Sequence, residues 1–477
     1  MTTMHAAGEF TGKYFGRKLN YRFSMDMMQV KKDDGETAGT MSVFSYVAEV
    51  PPEERAIRPV IFAFNGGPGS ASTFLHLGGL GPKHISFPEN LSVGVHSHSE
   101  MCDNEFTVLA AADLVFIDPI NTGYGRQQPN ADVSELYSLQ GDARAFAKVV
   151  KQWVSQNGRW SAPKYILGES YGTHRAVFLA SSLMDDLSIP LNGIILIGQA
   201  VNVQETRDRP GNVTSLIASL PFMAATAWFH GLGSKHCDSV EQAVAEAIEL
   251  SHGEFATILH AGNRAAPAAV EAMARRLSAM TGLKSELFSK RRFWVNKEQF
   301  RRELLAEEGL IVGLSDARYV GRAPDVLNGE GEIEPSMAQI RPAFAAFGAC
   351  YLYAHFGTAV DLPEYREFDP MAVARWDWSD DGARHFMSMG KPSPFLVYPY
   401  VARLTKYLKQ VSHAKLFIGT GYYDALTTVG AVEHLLRQYE LPCERVTDKR
   451  YPGGHMMYTD HKSREQLNKD LITFVSE

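Results

Sequence analysis

A serine flanked by glycines two residues to either side, Gly168-Glu169-Ser170-Tyr171-Gly172, follows the run Tyr165-Ile166-Leu167 and precedes a helix-like Ala176–Ser182. This is the G-x-S-x-G spacing of a nucleophile elbow, where a strand turns sharply into a helix and the hydroxyl stands above the sheet. Glycines at plus and minus two keep side chains out of that turn. An alcohol is a weak nucleophile until a neighbouring base takes its proton. In such a fold the partners follow in the order serine, acid, histidine, on loops after late strands. Of 16 histidines, His455 alone lies in a glycine loop after a late strand-like run, Tyr451-Pro452-Gly453-Gly454-His455. Asp424 ends Gly419-Thr420-Gly421-Tyr422-Tyr423, behind the strand-like Leu416–Ile418. Asp361, Asp369, Asp380 and Asp381 also fall between Ser170 and His455, but at no strand end. The expected set is Ser170 as nucleophile, His455 as base and Asp424 as orienting acid. Acyl transfer also needs N–H donors for an oxyanion. Tyr171, the residue after the nucleophile, offers one, and Gly67 in Asn65-Gly66-Gly67-Pro68-Gly69 the other. Those glycines do not read as a phosphate loop, because no Gly-Lys-Ser/Thr follows and the next basic residue is Lys83.

Elements of two periodicities must hold these residues. Strands are expected at residues 40–48, 59–64, 112–118, 164–168 and 193–198, each short, apolar and closed by a turn. A helix fits Ser138 to Val154, where Ala143, Phe146, Ala147, Val150 and Val154 recur at helical spacing. Strands alternating with helices make a mostly parallel sheet covered on both faces. Beyond about residue 203 the pattern turns helical, at 239–250, 265–280 and 296–308, with no strong strand before 414–419. The chain then regains alternation: helix 428–439, strand 444–450, helix 463–475. The expected fold class is α/β, an α/β-hydrolase with a mostly parallel central sheet flanked by helices and a largely helical cap insertion. The expected divisions are 1–202 and 391–477 for the core, the second carrying acid and base, and 203–390 for the cap.

Composition narrows the function. The 477 residues are 45% hydrophobic and 21% charged, enough apolar material for a large core. A net charge of -7 and a pI near 6.2 argue against nucleic acid as partner; Lys290-Arg291-Arg292 and Arg301-Arg302 read as solvated helix faces. Four scattered cysteines, Cys102, Cys237, Cys350 and Cys443, suggest free thiols, and no HExxH or cysteine-histidine cluster is seen. No metal and no cofactor are therefore expected, and His96-x-His98 lacks a third ligand. His76 reads as packing more readily than as a substrate contact, and Trp376, Trp378 and Phe386 as cap packing. No stretch reaches the roughly 18 apolar residues of a membrane span. With no basic-then-apolar segment at Met1–Glu9, the chain as written reads as cytoplasmic, or as secreted or periplasmic if that N-terminus is trimmed.

The motifs Asn65-Gly66-Gly67-Pro68-Gly69-Ser70, Gly168-Glu169-Ser170-Tyr171-Gly172, Thr420-Gly421-Tyr422-Tyr423-Asp424 and Gly454-His455-Met456 together resemble the serine carboxypeptidase family. Leu80-Gly81-Pro82, the run Leu114–Pro119 and Thr122-Gly123-Tyr124 extend the likeness, which covers about residues 40–200 and 395–477. The resemblance implies release of C-terminal amino acids from peptides through an acyl-enzyme, with a peptide bearing a free C-terminus as partner. It implies that Asn65 and Glu169 bind the substrate's terminal carboxylate, Glu169 in its protonated form. The family's second glutamate, which shares that proton, falls at Gly79; its tryptophan falls at Ala63 and its disulfide cysteine at Ser70. Without the second carboxyl, Glu169 is expected to titrate lower than in relatives, weakening any acid-favoured activity. An esterase or acyltransferase with the same triad is the alternative, and a partner-binding protein with an idle triad a more distant one. Homodimerisation is left open.

Overall fold

The computed structural model describes residues 3–32, 34–88, 91, 99–325, 330–356, 362–379 and 398–477. Its centre is a nine-stranded sheet of β1 (Thr3–Tyr14), β2 (Arg17–Lys31), β3 (Thr37–Ala48), β4 (Val60–Phe64), β5 (Asp113–Ile117), β6 (Lys164–Glu169), β7 (Gly193–Ile197), β8 (Lys415–Gly421) and β9 (Val446–Tyr451). The spatial order is β1-β2-β3-β5-β4-β6-β7-β8-β9. The first three strands pair antiparallel, β3 also with β5, and the six strands β4–β9 run parallel to one another.

The parallel strands read as unbroken apolar runs because both faces are covered. Phe62, Val115, Ile166, Ile194, Leu416 and Ile418 enter one buried cluster, while Ile61, Leu114, Phe116, Leu167, Ile195 and Phe417 enter another on the opposite face. The first cluster is closed by helix α1 (Leu139–Gln156) and helix α2 (Tyr171–Asp185). Ser138 caps α1 by accepting from the Gly141 amide at 3.0 Å, and Ala143, Phe146, Ala147, Val150 and Val154 are all buried on its sheet-facing side. This is the α/β-hydrolase fold. The β1–β2 hairpin had no counterpart among the predicted strands. It turns tightly with Tyr14 opposite Arg17, and β2 goes on to pair with β3, Tyr21 opposite Ala48 and Lys31 opposite Thr37, but its residues match a period of two only loosely.

Helices Val213–Phe229, Val240–His252 and Pro267–Thr281 pack around a third apolar cluster, which also takes in Tyr422, Tyr423, Ala425 and Val429 from the chain after β8. Helical residues 203–310 thus sit on the segment carrying Asp424. Two corrections apply here. A short antiparallel pair, Leu310–Val312 with Val320–Arg322, interrupts the helical run before residue 414. Arg301 is buried rather than solvated: it pairs with Glu298 at 2.5 Å and Glu332 at 3.0 Å and donates to the Val312 carbonyl at 3.0 Å. Residues 366–369 contribute no helix and lie along the core loops, with Gly123 N to Arg366 O at 2.7 Å, Ala71 N to Glu367 O at 2.8 Å and Asp369 N to Gly69 O at 2.8 Å. Among the described residues no helix is long and apolar enough to cross a membrane.

Candidate active site

Ser170 sits between the end of β6 and the start of α2 with φ 60° and ψ −125°, a backbone state that a residue with a Cβ rarely adopts. The surrounding structure holds it there. The Ser170 amide donates to the Ile197 carbonyl at 3.0 Å, and Thr173 donates through Oγ1 to the Ser170 carbonyl at 2.7 Å. The glycines at plus and minus two are needed for closeness: a Cβ on Gly168 would fall 2.0 Å from the Gly172 carbonyl oxygen, and one on Gly172 2.9 Å from the Phe64 carbonyl oxygen.

The loops after β8 and β9 are joined backbone to backbone, Tyr422 N to Tyr451 O at 3.0 Å and Tyr423 N to Gly453 O at 3.0 Å. They bring Asp424 Oδ2 to 2.7 Å from His455 Nδ1. Asp424 is fully buried and saturated, accepting also from Leu426 N (2.7 Å), Thr427 N (3.0 Å) and the Thr427 hydroxyl. Burial resists its ionisation, but the facing imidazole and these donors prevail and hold its pKa below the usual carboxylate range. For His455, burial pushes the pKa down, yet the Asp424 carboxylate and its hydrogen bond carry it above the ordinary histidine value. The other ring nitrogen, Nε2, is buried and has no hydrogen-bond partner among the described residues. The ring rests on Gly198, the residue after Ile197: a Cβ there would lie 2.9 Å from His455 Nδ1. Ser170 and His455 are therefore seated on adjacent residues at the same end of β7.

The first-turn amide of Tyr171 has no intrahelical acceptor. Beside it runs the loop after β4, so close that a Cβ on Gly66 would fall 2.6 Å from Tyr171 N. The next residue, Gly67, has φ 106°. Asn65 and Glu169 meet directly, with Asn65 Nδ2 donating to Glu169 Oε1 at 2.7 Å, while Leu75 N donates to Asn65 Oδ1 at 3.0 Å. Glu169 Oε2 is buried and has no hydrogen-bond partner among the described residues. Burial pushes the Glu169 pKa up to about 7, against the opposing pull of His455, Tyr458 and Asn65. The loss of a carboxyl at position 79 thus meets a counter-effect that the sequence did not disclose, because desolvation by itself keeps this acid neutral well above the ordinary range.

Several supports had no local signature. Leu314–Arg318, from the insertion, ties both late loops: His455 N to Ser315 O at 2.6 Å, Ala317 N to Tyr423 O at 2.9 Å, Ala425 N to Leu314 O at 3.2 Å and Arg318 Nη1 to Pro452 O at 2.8 Å. Under the elbow, buried Arg175 donates to Asp142 at 2.7 Å and to the Asn65 carbonyl at 2.8 Å, and the Tyr171 hydroxyl donates to Asp142 at 2.9 Å. Thr427 had a faint signal, since Asp followed three residues later by Thr suits an Asx-type turn.

The remaining candidates lie elsewhere. Asp369 accepts from the Tyr137 hydroxyl at 2.9 Å and caps residues 370–375. His76 is held in the core by Tyr46 at 2.7 Å and stacks on Phe116. Trp376 and Trp378 pack on Tyr171, with ring centroids 5.0 and 5.6 Å away, so they cover the start of α2. His96, His98, Asp361, Asp380, Asp381 and Phe386 lie outside the described residues. Cys102, Cys237, Cys350 and Cys443 are free. Contrary to the reading that no cysteine-histidine cluster exists, the ligand atoms of His236, Cys237 and Glu246 lie within 4.8 Å of one another, on the helical insertion.

Against known proteins, residues 33–291 match the family model described as serine carboxypeptidase. A curated relative, serine carboxypeptidase-like 33 of Arabidopsis thaliana, is 25% identical over 166 residues; the match spans 33% of this chain and 33% of that protein. In structure the chain is similar to Kex1(delta)p, a prohormone-processing carboxypeptidase from Saccharomyces cerevisiae, with a TM-score of 0.57 and 13% identity over 95% of this chain and 91% of that one. The structural likeness is one of fold.

Proposed function

This chain belongs to the serine carboxypeptidase family, and from that premise we propose that it hydrolyses C-terminal peptide bonds through an acyl-enzyme on Ser170. Asn65 and neutral Glu169 hold the terminal carboxylate of the peptide, which places the last peptide bond over Ser170. His455 Nε2 takes the hydroxyl proton as Oγ bonds to the carbonyl carbon. Asp424 keeps the ring oriented and stabilises the imidazolium that forms. The negative charge on the carbonyl oxygen meets the N–H groups of Gly67 and Tyr171. His455 returns its proton to the leaving nitrogen as the C–N bond breaks, and the C-terminal amino acid departs. Water then attacks the ester, again losing its proton to His455, and Ser170 is released.

The observation that carries the exopeptidase reading is the Asn65–Glu169 contact at 2.7 Å with the second Glu169 oxygen buried and unpaired. An ionised glutamate would repel a substrate carboxylate; an acid that stays neutral to about pH 7 donates to it. The pH signs follow. His455 must be neutral to act, so acylation rises with pH through its raised pKa. Carboxylate capture needs protonated Glu169, so it falls as pH passes about 7. The test is kcat/KM on an N-blocked dipeptide with a free carboxylate against its C-terminal amide. The free acid is expected to win, by a margin that narrows above pH 7; preference for the amide or for simple esters would end the reading.

A further inference from the structure

Tyr458 lies in the single turn Met457–Thr459, three residues beyond His455, and is fully buried. Its ring fills the space over Gly78 and Gly79. A Cβ on Gly79 would fall 2.8 Å from the ring's Cβ and Cγ, and one on Gly78 would fall 2.6 Å from Cε2. With the ring in place no side chain fits at position 79, so the missing glutamate and the presence of this tyrosine are one packing arrangement.

Among the described residues, neither the buried phenol oxygen nor Glu169 Oε2 has a hydrogen-bond partner. The two groups are nevertheless near enough to perturb each other's ionisation, and Asn65 also bears on the Tyr458 hydroxyl. Buried polar atoms without partners are uncommon in folded chains. Two of them from distant parts of the chain, converging beside an amide donor and the imidazole, form a place for an acceptor from outside. A carboxylate has two oxygens and takes several donors.

We infer that Tyr458 is a specificity-determining residue of this subsite, its hydroxyl donating a hydrogen bond to the peptide's terminal carboxylate where Gly79 has no side chain to offer. This rests on the carboxypeptidase reading and deepens it. The substitution of donor has a chemical consequence. A carboxylic acid loses its proton in the physiological range, whereas this phenol, raised by burial and then by Glu169, keeps its own. Above the Glu169 pKa of about 7, Tyr458 and Asn65 still donate, so recognition of the carboxylate declines to a plateau rather than vanishing.

The experiment measures, on the full chain, the ratio of kcat/KM for the free-acid dipeptide to that for its amide, from pH 5 to 9. General damage to the fold lowers both rates and cancels in the ratio. Tyr458→Phe is expected to lower the ratio about tenfold, the size of one hydrogen bond to a charged group, and to remove the plateau above pH 7. A variant ratio and profile equal to those of the unmutated chain would overturn the inference while leaving the carboxypeptidase reading intact. If the unmutated chain shows no preference for the acid, it is the reading that fails. A second pair guards against poor folding of the phenylalanine variant. Adding Gly79→Glu to Tyr458→Gly, which also removes the Cβ 2.8 Å from the new side chain, should restore part of the ratio lost in Tyr458→Gly alone, with a decline above neutral pH. Absence of any recovery would count against a donor role at this place.

Discussion

Asp113 at the entry of β5 and Glu169 at the exit of β6 are both buried carboxylates in one sheet, yet they are treated in opposite ways. Asp113 accepts from Arg58 Nε at 2.9 Å, from the Ala48 amide at 3.0 Å and from buried Arg159, so both oxygens are engaged. Glu169 has one hydrogen bond, from Asn65, and an empty second oxygen. At the first end the charge is compensated and locks β5 to the chain before β4 and the chain after α1. At the second the group is desolvated without full compensation, which leaves its proton near the point of exchange. The contrast shows how one fold separates what holds it together from what it reacts with. In open α/β sheets the carboxyl ends of the strands carry the crevice, and there Glu169 Oε2 and His455 Nε2 have no hydrogen-bond partner among the described residues.

Three substitutions test that division, from the largest effect to the smallest. Asp424→Asn keeps the shape but leaves His455 in the wrong tautomer; kcat on the blocked dipeptide should fall by about four orders of magnitude, with thermal stability little changed. A modest fall would mean that another acid orients the ring. Asp113→Ala strands two buried arginines and should lower unfolding free energy in urea by ~3–5 kcal/mol, while kcat of the protein that remains folded stays within a few-fold. A selective loss of kcat instead would erase the distinction between the two ends. Glu169→Gln replaces a titrating donor by a permanent one, so the decline of kcat/KM for the free acid through pH 7 should flatten, with only a several-fold change below it. An unaltered pH profile would show that some other group titrates there.

How much of this was legible in the sequence varied with the range of the interactions. The elbow was readable because strained backbone demands glycines at fixed offsets, and a Cβ on Gly168 or Gly172 would fall within 3 Å of a neighbouring carbonyl oxygen. The parallel strands were readable because burial on both faces forces continuous apolar runs. The β1–β2 hairpin was not, because its strands lack clean alternation although they pair locally, Tyr14 opposite Arg17; the short pair at 310–312 and 320–322 and the buried Arg301 were not, since each depends on partners that no local pattern encodes.

The sequence by itself determined the residue types, their order and the turn chemistry that could bear a serine, an acid and a histidine at strand ends. Only the tertiary structure decided the environment of each group: that Asp424 is saturated with donors, that Glu169 is dry enough to hold a proton to about pH 7, and that Tyr458 fills the room over Gly79. The physical reason is that identity and spacing act along the chain, whereas desolvation and packing depend on which distant atoms exclude water from a site.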